Sequence, residues 1–373
     1  MRKKYPCKSL LFISAFFLLF AVASCKKDNS NGNKVATPTT ANPTKLALIE
    51  TDSSIYKLLL INIKNIGTQT YNNQLIFDTG SGGMVIDANG IIPASMITSS
   101  GFNFTGDSTV VNGITITSQA SMVAYGANTS TTDRVYGNLA YASVTIGDQN
   151  GNVVIKRLPF LLYYKAINGQ GVQYSPHQYD TFGVSDEYDI TFANNAFITS
   201  PFSYFEPGTG LTKGFKMAVL SASNFSYLGN SVAGAITLGL TSSDLSSASG
   251  FVMNQLTYYA GDGYAPVIPT SITYNNKSFT TDAIFDTGTE PYSYIEDPTG
   301  PTTATLLPSK TPVSLATHSG FNYTYTTSDA DNLTYVENPK TSGGTVSILS
   351  LEFFLNNEYL LDYTNHRLGL KNN

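Results

Sequence analysis

The sequence predicts an all-β chain of two lobes built from a duplicated unit, and three observations carry that prediction. The pentapeptide Ile-Phe-Asp-Thr-Gly occurs twice, as Ile76-Phe77-Asp78-Thr79-Gly80 and as Ile284-Phe285-Asp286-Thr287-Gly288. Each copy follows a strand-like apolar run and is followed at once by a hydroxyl residue, Ser81 or Thr289. Charged residues make up only 13%, whereas 24 Tyr, 21 Phe and 31 Gly accompany many Thr and Ser. That mixture suits pleated strands and turns, and hardly any window shows the apolar period of a helix. A length of 373 residues allows two domains with a substantial core.

The first segment reads as a targeting signal over residues 1–24. Arg2, Lys3, Lys4 and Lys8 precede an apolar stretch that ends in Val22-Ala23-Ser24-Cys25. Small residues before a cysteine resemble a bacterial lipobox, which implies cleavage before Cys25, diacylation of its thiol and a place in the cell envelope, on the periplasmic or the surface face. The alternative is an uncleaved anchor, but residues 10–23 fall short of the roughly 17–25 that a spanning helix needs. Cys7, the only other cysteine, lies inside the removed segment, so no internal disulfide is expected. Residues 25–54 are expected as the lipidated cysteine and a flexible tether, because 26–44 are almost all Lys, Asn, Thr, Pro and Ser.

From Tyr56 onward short strand-like runs alternate with turn clusters. Residues 58–66 are expected as a strand, 67–73 as a turn region and 74–77 as the strand that delivers Asp78. The second copy repeats this order, with a strand at 272–274, a turn at Asn275-Asn276-Lys277 and a strand at 283–285 before Asp286. Another apolar stretch follows each motif, Met84-Val85-Ile86 and residues 292–295. The lobes are therefore expected at 55–190 and 191–373, with the connection around 185–216.

Two carboxylates within hydrogen-bond distance cannot both ionise cheaply, so the pair keeps one proton over a wide pH range. Such a pair can take a proton from a bridging water while giving one to a carbonyl oxygen, which is hydrolysis without a metal or a covalent intermediate. Gly80 and Gly288 permit a tight turn with backbone N–H groups close to the carboxylates. Ser81 and Thr289 offer a hydroxyl to each outer oxygen, and Thr79 and Thr287 can reach across to the opposing backbone. A lone Asp-Thr-Gly makes a β-turn and no more. Two copies in matching context point to an active site.

On these motifs the chain resembles the pepsin-like aspartic peptidases, from about Tyr56 to Leu370. Ile348-Leu349-Ser350, the run Leu351-Glu352-Phe353-Phe354-Leu355, Tyr359-Leu360-Leu361-Asp362-Tyr363 and Leu368-Gly369-Leu370 look like that family's C-terminal signature. Phe182-Gly183 looks like its counterpart in the first lobe, and Ala235-Ile236-Thr237-Leu238-Gly239 like the strand opening the second. The resemblance implies a bilobal pepsin-like fold whose lobes are related by a pseudo-twofold axis, with a cleft between them. It also implies a hairpin flap whose tyrosine covers the cleft; Tyr125-Gly126 fits that place, with 128–134 as a polar tip. Three departures stand out. The chain has no Trp, so the indole that usually orients the flap tyrosine is missing. Ser350 stands where the family has Gly, and Glu290 adds a third carboxylate expected to repel the pair or attract basic substrate side chains. Few residues between Cys25 and Tyr56 are basic, so no conventional inhibitory prosegment is expected.

The resemblance implies a peptide hydrolase acting on an extended peptide or unfolded protein, without cofactor and as a monomer. A net charge of −5, an isoelectric point near 5.2 and the lack of a basic cluster argue against nucleic acid as a partner. His177, His318 and His366 are widely spaced in polar contexts and are expected at the surface, not as zinc ligands. No Gly-x-Ser-x-Gly element or phosphate-cradling loop is present. The competing class is a binding or inhibitor lipoprotein that keeps the scaffold without catalysis.

Overall fold

The structure, a computed structural model, describes residues 41–52, 56–126 and 132–373. The targeting segment, Cys25 and flap-tip residues 128–131 therefore lie outside the described residues. Two β-sheets dominate, one of 14 strands and one of 8. Among the described residues no helix is long and apolar enough to cross a membrane.

Local sequence explains the strands that matter. In Lys57–Ile66 the apolar residues Leu59, Ile61 and Ile63 alternate with more exposed neighbours and are fully buried, as a strand with one face on a core requires. The hairpin to Gln69–Asp78 closes with Ile66 opposite Gln69, so the loop is Gly67-Thr68. The expected turn over 67–73 is thus shorter. Gly67 has φ +60, and a Cβ there would meet the Asn112 carbonyl oxygen at 2.2 Å. In the second lobe Ile268–Tyr274 and Lys277–Phe285 are joined by Asn275 and Asn276, both at positive φ. Two such residues suit the twist of a tight hairpin.

The element bearing each aspartate has the same neighbours in both lobes. Gln69–Asp78 lies parallel to Thr181–Val184, with Phe77 opposite Phe182 and Asp78 opposite Gly183. Thr181–Val184 in turn pairs antiparallel with Gly82–Asp87, the strand after the motif. In the second lobe Lys277–Phe285 lies parallel to Val346–Leu349, with Phe285 opposite Leu349. Val346–Leu349 also touches Tyr292–Glu296, with Ile348 opposite Tyr294. Behind the first motif Phe77, Phe182, Phe202 and Phe215 are buried with ring centroids 5.1 to 6.4 Å apart. Behind the second, Phe285 packs 4.4 Å from Phe353.

One boundary differs from expectation. The tether expected to residue 54 ends earlier, because Thr44–Asp52 is a strand whose Leu46 and Leu48 are fully buried. It sits between Asn230–Leu240 and Lys57–Ile66, so both edges are hydrogen-bonded. The 14-stranded sheet draws strands from both sides of residue 190. Thr212–Met217, Asn230–Leu240, Asn357–Asp362 and Arg367–Asn372 belong to the 14-stranded sheet, while the 8-stranded sheet is built from strands between Ile268 and Leu349.

The Thr44–Asp52 strand also buries a charge. Glu50 is 1% exposed, and neither carboxylate oxygen finds a well-formed hydrogen bond among the described residues. Burial pushes its carboxyl up to about 7, and the Asn224 side chain offsets only part of that rise. The folded chain therefore keeps a proton that the unfolded chain releases near the ordinary 4.5. This contribution to stability is full below that value and is lost as pH rises through about 7, a change of about 3 kcal/mol. Glu290, pushed up to about 8 mainly by burial, acts in the same direction. Denaturant midpoints are expected to fall between pH 5 and pH 8. Glu50→Gln should flatten that slope, and an unchanged slope would remove Glu50 from the account.

Candidate active site

Asp78 ends one strand and Asp286 directly follows its counterpart, and both are brought to one place. They are 8% and 9% exposed. A Cβ on Gly80 would lie 2.5 Å from the Asp286 carboxyl carbon, and one on Gly288 would lie 2.9 Å from that of Asp78. Each glycine of one motif thus lies against the carboxyl of the other, and only a missing side chain permits the approach. The two carboxyl groups are close enough to share a hydrogen bond.

Each carboxylate is held by its own motif in the same way. Gly80 N–H donates to Asp78 Oδ1 at 2.8 Å, and Gly288 N–H to Asp286 Oδ1 at 2.7 Å. Ser81 Oγ donates to Asp78 Oδ2 and Thr289 Oγ1 to Asp286 Oδ2, both at 2.5 Å. Beneath them the threonines cross. Thr79 Oγ1 accepts from Thr287 N–H at 3.0 Å and donates to the Phe285 carbonyl at 2.7 Å. Thr287 Oγ1 accepts from Thr79 N–H at 3.0 Å and donates to the Phe77 carbonyl at 2.7 Å. Both threonines are fully buried, so these bonds are shielded from competition with water.

The electrostatics of the pair follow from this geometry. Burial first, then the charge of Asp78 and a hydrogen bond to it, hold the Asp286 carboxyl well above its ordinary range. The Thr289 hydroxyl and Gly288 N–H pull the other way. The result is a pair in which one proton is retained far above the pH at which a lone carboxylic acid would lose it.

Ser350, expected to need space, has it. It is fully buried, its N–H donates to Ser293 Oγ at 3.0 Å, and the Ser293 hydroxyl donates to Ser350 Oγ at 3.2 Å. At the equivalent place in the first lobe, a Cβ on Gly183 would meet the Ser81 carbonyl oxygen at 2.6 Å. The lobes therefore diverge here in backbone as well as side chain.

Tyr125 closes the strand Ile114–Tyr125 and pairs with Asp133 across the hairpin. Its hydroxyl lies near Thr181, and burial, then Asp78 and Asp189, disfavour its ionisation. Gly126 follows at φ 111. Arg134, expected in the polar tip, belongs to the strand Asp133–Asp148.

Glu290 does not sit where it was expected to act. Its strongest electrostatic partners are Glu352, Lys57 and Asp52, and Lys57 forms an ion pair with Glu352. The acids that do bear on Asp78 are Glu187 and Asp189. Asp189 Oδ2 accepts from the Gly82 N–H at 2.5 Å. Burial, then the charges of Asp78 and Asp262, push its carboxyl up to about 7 although its side chain reaches solvent, with the Gly82 N–H offsetting part. Burial and then Asp189 raise Glu187 well above its ordinary value. Asp186-Glu187-Tyr188-Asp189 places three acids in four residues of a sparsely charged chain. That was the available signal, hidden in what was expected to be a connection.

Two histidines are also not free surface residues. His177 Nδ1 lies 2.9 Å from Asp180 Oδ2, and His366 Nδ1 2.6 Å from Asp186 Oδ2, with its ring stacked 3.6 Å from Tyr264. His318 is exposed. Among the described residues no group of three His, Cys, Asp or Glu side chains is arranged to hold a metal ion.

No family model matches the chain, and no curated protein matches it. Among solved structures it is similar to the aspartic proteinase from Irpex lacteus, at 16% identity and a TM-score of 0.56, over 88% of this chain and 97% of that one. It is also similar to the Basic 7S globulin from soybean, at 13% identity and a TM-score of 0.55, over 89% of this chain and 95% of that one. The fold is the all-β, bilobal architecture of the pepsin-like aspartic proteinases. Since one neighbour is named a proteinase and the other a globulin, the function rests on the site.

Proposed function

We propose that the chain is an aspartic endopeptidase that hydrolyses peptide bonds with a water activated between Asp78 and Asp286. The observation that carries this reading is the reciprocal packing of each motif glycine on the opposite carboxyl, with both outer oxygens held by Ser81 and Thr289. In the half-ionised pair the charged carboxylate takes a proton from the water as its oxygen attacks the amide carbon, and the protonated partner gives its proton to the carbonyl oxygen. The tetrahedral intermediate then collapses as a proton reaches the leaving nitrogen, and the pair returns to its single shared proton. Tyr125, at the end of the strand Ile114–Tyr125, and Gly126 after it would contact an extended peptide, whose main chain would bond to strand edges.

The reading extends to location. Residues 1–25 support export as a lipoprotein with Cys25 acylated, so that the body would act on unfolded or extended chains in the cell envelope. A second reading, a scaffold that binds without cleaving, is favoured by the similarity to a globulin. Incubation with denatured protein from about pH 3 to pH 7, with and without a statine-type transition-state analogue, separates the two. Inhibitor-sensitive cleavage is the expected result, and no cleavage at any pH would select the binder.

A further inference from the structure

Tyr125 is held from the side by a cluster that the motifs did not announce. Asp133, directly across the hairpin from Tyr125, accepts two phenolic hydrogen bonds on one oxygen. Tyr174 donates at 2.8 Å and Tyr179 at 2.7 Å. The Tyr179 ring lies 5.4 Å from the Tyr125 ring at 44° and 5.1 Å from the Tyr174 ring at 49°. Tyr174 and Tyr179 lie in the connection between the strands Gly151–Ile167 and Thr181–Val184. The second of these strands carries Gly183, the register partner of Asp78.

We propose that Asp133, Tyr174 and Tyr179 form a clamp that fixes Tyr125 relative to the carboxyl pair, and that all three are positioning residues. The proposal rests on the endopeptidase reading and names what sets the geometry of that same site. Near its tip the strand Ile114–Tyr125 is hydrogen-bonded to a strand on one side only, Asp133–Asp148, because its other strand partner reaches no further than Thr117. Here one strand of the hairpin is tied through Asp133 to a connection only a few residues from the catalytic loop's neighbouring strand. Ring packing of Tyr179 on Tyr125 sets the lateral position of Tyr125, and the two hydrogen bonds to Asp133 set its distance. The tie therefore transmits the position of the rigid sheet to the residue that contacts substrate.

The test is a double-mutant cycle in kcat/KM for peptide cleavage. Asp133→Ala is expected to lower kcat/KM about tenfold to a hundredfold, the cost of a displacement of about 1 Å. Asp133→Asn keeps an acceptor oxygen and should recover most of the loss. In a Tyr125→Ala background, Asp133→Ala should add almost nothing, because the clamp acts through Tyr125. An equal loss in both backgrounds, or none in either, would overturn the proposal. A readout without activity is amide hydrogen exchange in the intact chain. Asp133→Ala should speed exchange at residues 123–126 while leaving residues 283–289 unchanged, and unchanged exchange at 123–126 would also overturn it. If the unsubstituted chain cleaves nothing, the endopeptidase reading fails, and the exchange experiment still decides the clamp.

Discussion

Asp78→Asn, and separately Asp286→Asn, should reduce peptide hydrolysis by about 10³-fold or more while leaving the fold and the denaturant midpoint near those of the parent chain. An amide has nearly the shape of a carboxyl but can neither accept the water's proton nor deliver one to the carbonyl oxygen, and each role is worth about 10²–10⁴-fold. The Gly80 N–H can still donate to the amide oxygen, and the Ser81 hydroxyl, which faces the other position, can turn to accept from the amide N–H, so folding should persist. Removing the charge of Asp78 also removes a cause of the raised Asp286 carboxyl, which offsets the hydrogen bond that is weakened. Circular dichroism and a peptide assay on the same preparations separate chemistry from folding. Turnover within tenfold of the parent in both variants would refute the mechanism.

The second large effect is on stability. Thr79→Val keeps the shape of the side chain but deletes a hydroxyl that accepts from Thr287 N–H and donates to the Phe285 carbonyl. Both groups are left buried without a partner, at about 1–3 kcal/mol each. A loss of about 2–5 kcal/mol is therefore expected, and Thr287→Val should cost a similar amount because its bonds are the mirror of these. The two hydroxyls are 3.4 Å apart, so the double variant should lose less than the sum of the singles. Urea unfolding of all three variants is the check, and a loss below about 0.5 kcal/mol in either single variant would contradict it.

Much of this architecture is legible in the sequence for a physical reason. The duplicated motif is short and local: Asp, Thr and Gly each have a place at a fixed offset, and the apolar run before them marks a strand by burial alone. Asn275-Asn276 likewise marks a hairpin because few residues tolerate positive φ. What escaped depends on contacts between distant parts of the chain. Thr44 pairs with Leu238 and Glu50 with Asn230, and nothing in the polar run before Thr44 announces a partner so far along the chain. Leu46 through Glu50 are buried in succession, so the alternation that marks a half-exposed strand is absent. The 14-stranded sheet likewise reaches across residue 190 through a distant pairing, where Thr44–Asp52 meets Asn230–Leu240.

The site shows the same split. Asp78, Asp286 and their hydroxyl partners are neighbours in sequence, and all are brought together. Glu290 was expected to act on the pair because it follows the second motif, but the chain turns it toward Lys57 and Glu352. Asp189 comes to the Gly82 N–H from 107 residues away, and Asp133 meets Tyr174 and Tyr179 from 41 and 46 residues away. Proximity along the chain is a poor guide to electrostatic neighbours when long strands carry residues tens of ångströms apart.

The claim beneath all of this is that two carboxyl groups hold one proton between them. Carbon-13 labelling of the aspartate carboxyls, followed by NMR titration, measures it directly, with Asp78→Asn and Asp286→Asn assigning the two signals. One proton should remain on the pair well above the ordinary carboxylate range, and in Asp78→Asn the Asp286 signal should titrate at lower pH than in the parent. Two signals that titrate independently near pH 4, unaffected by substitution of the partner, would contradict the account.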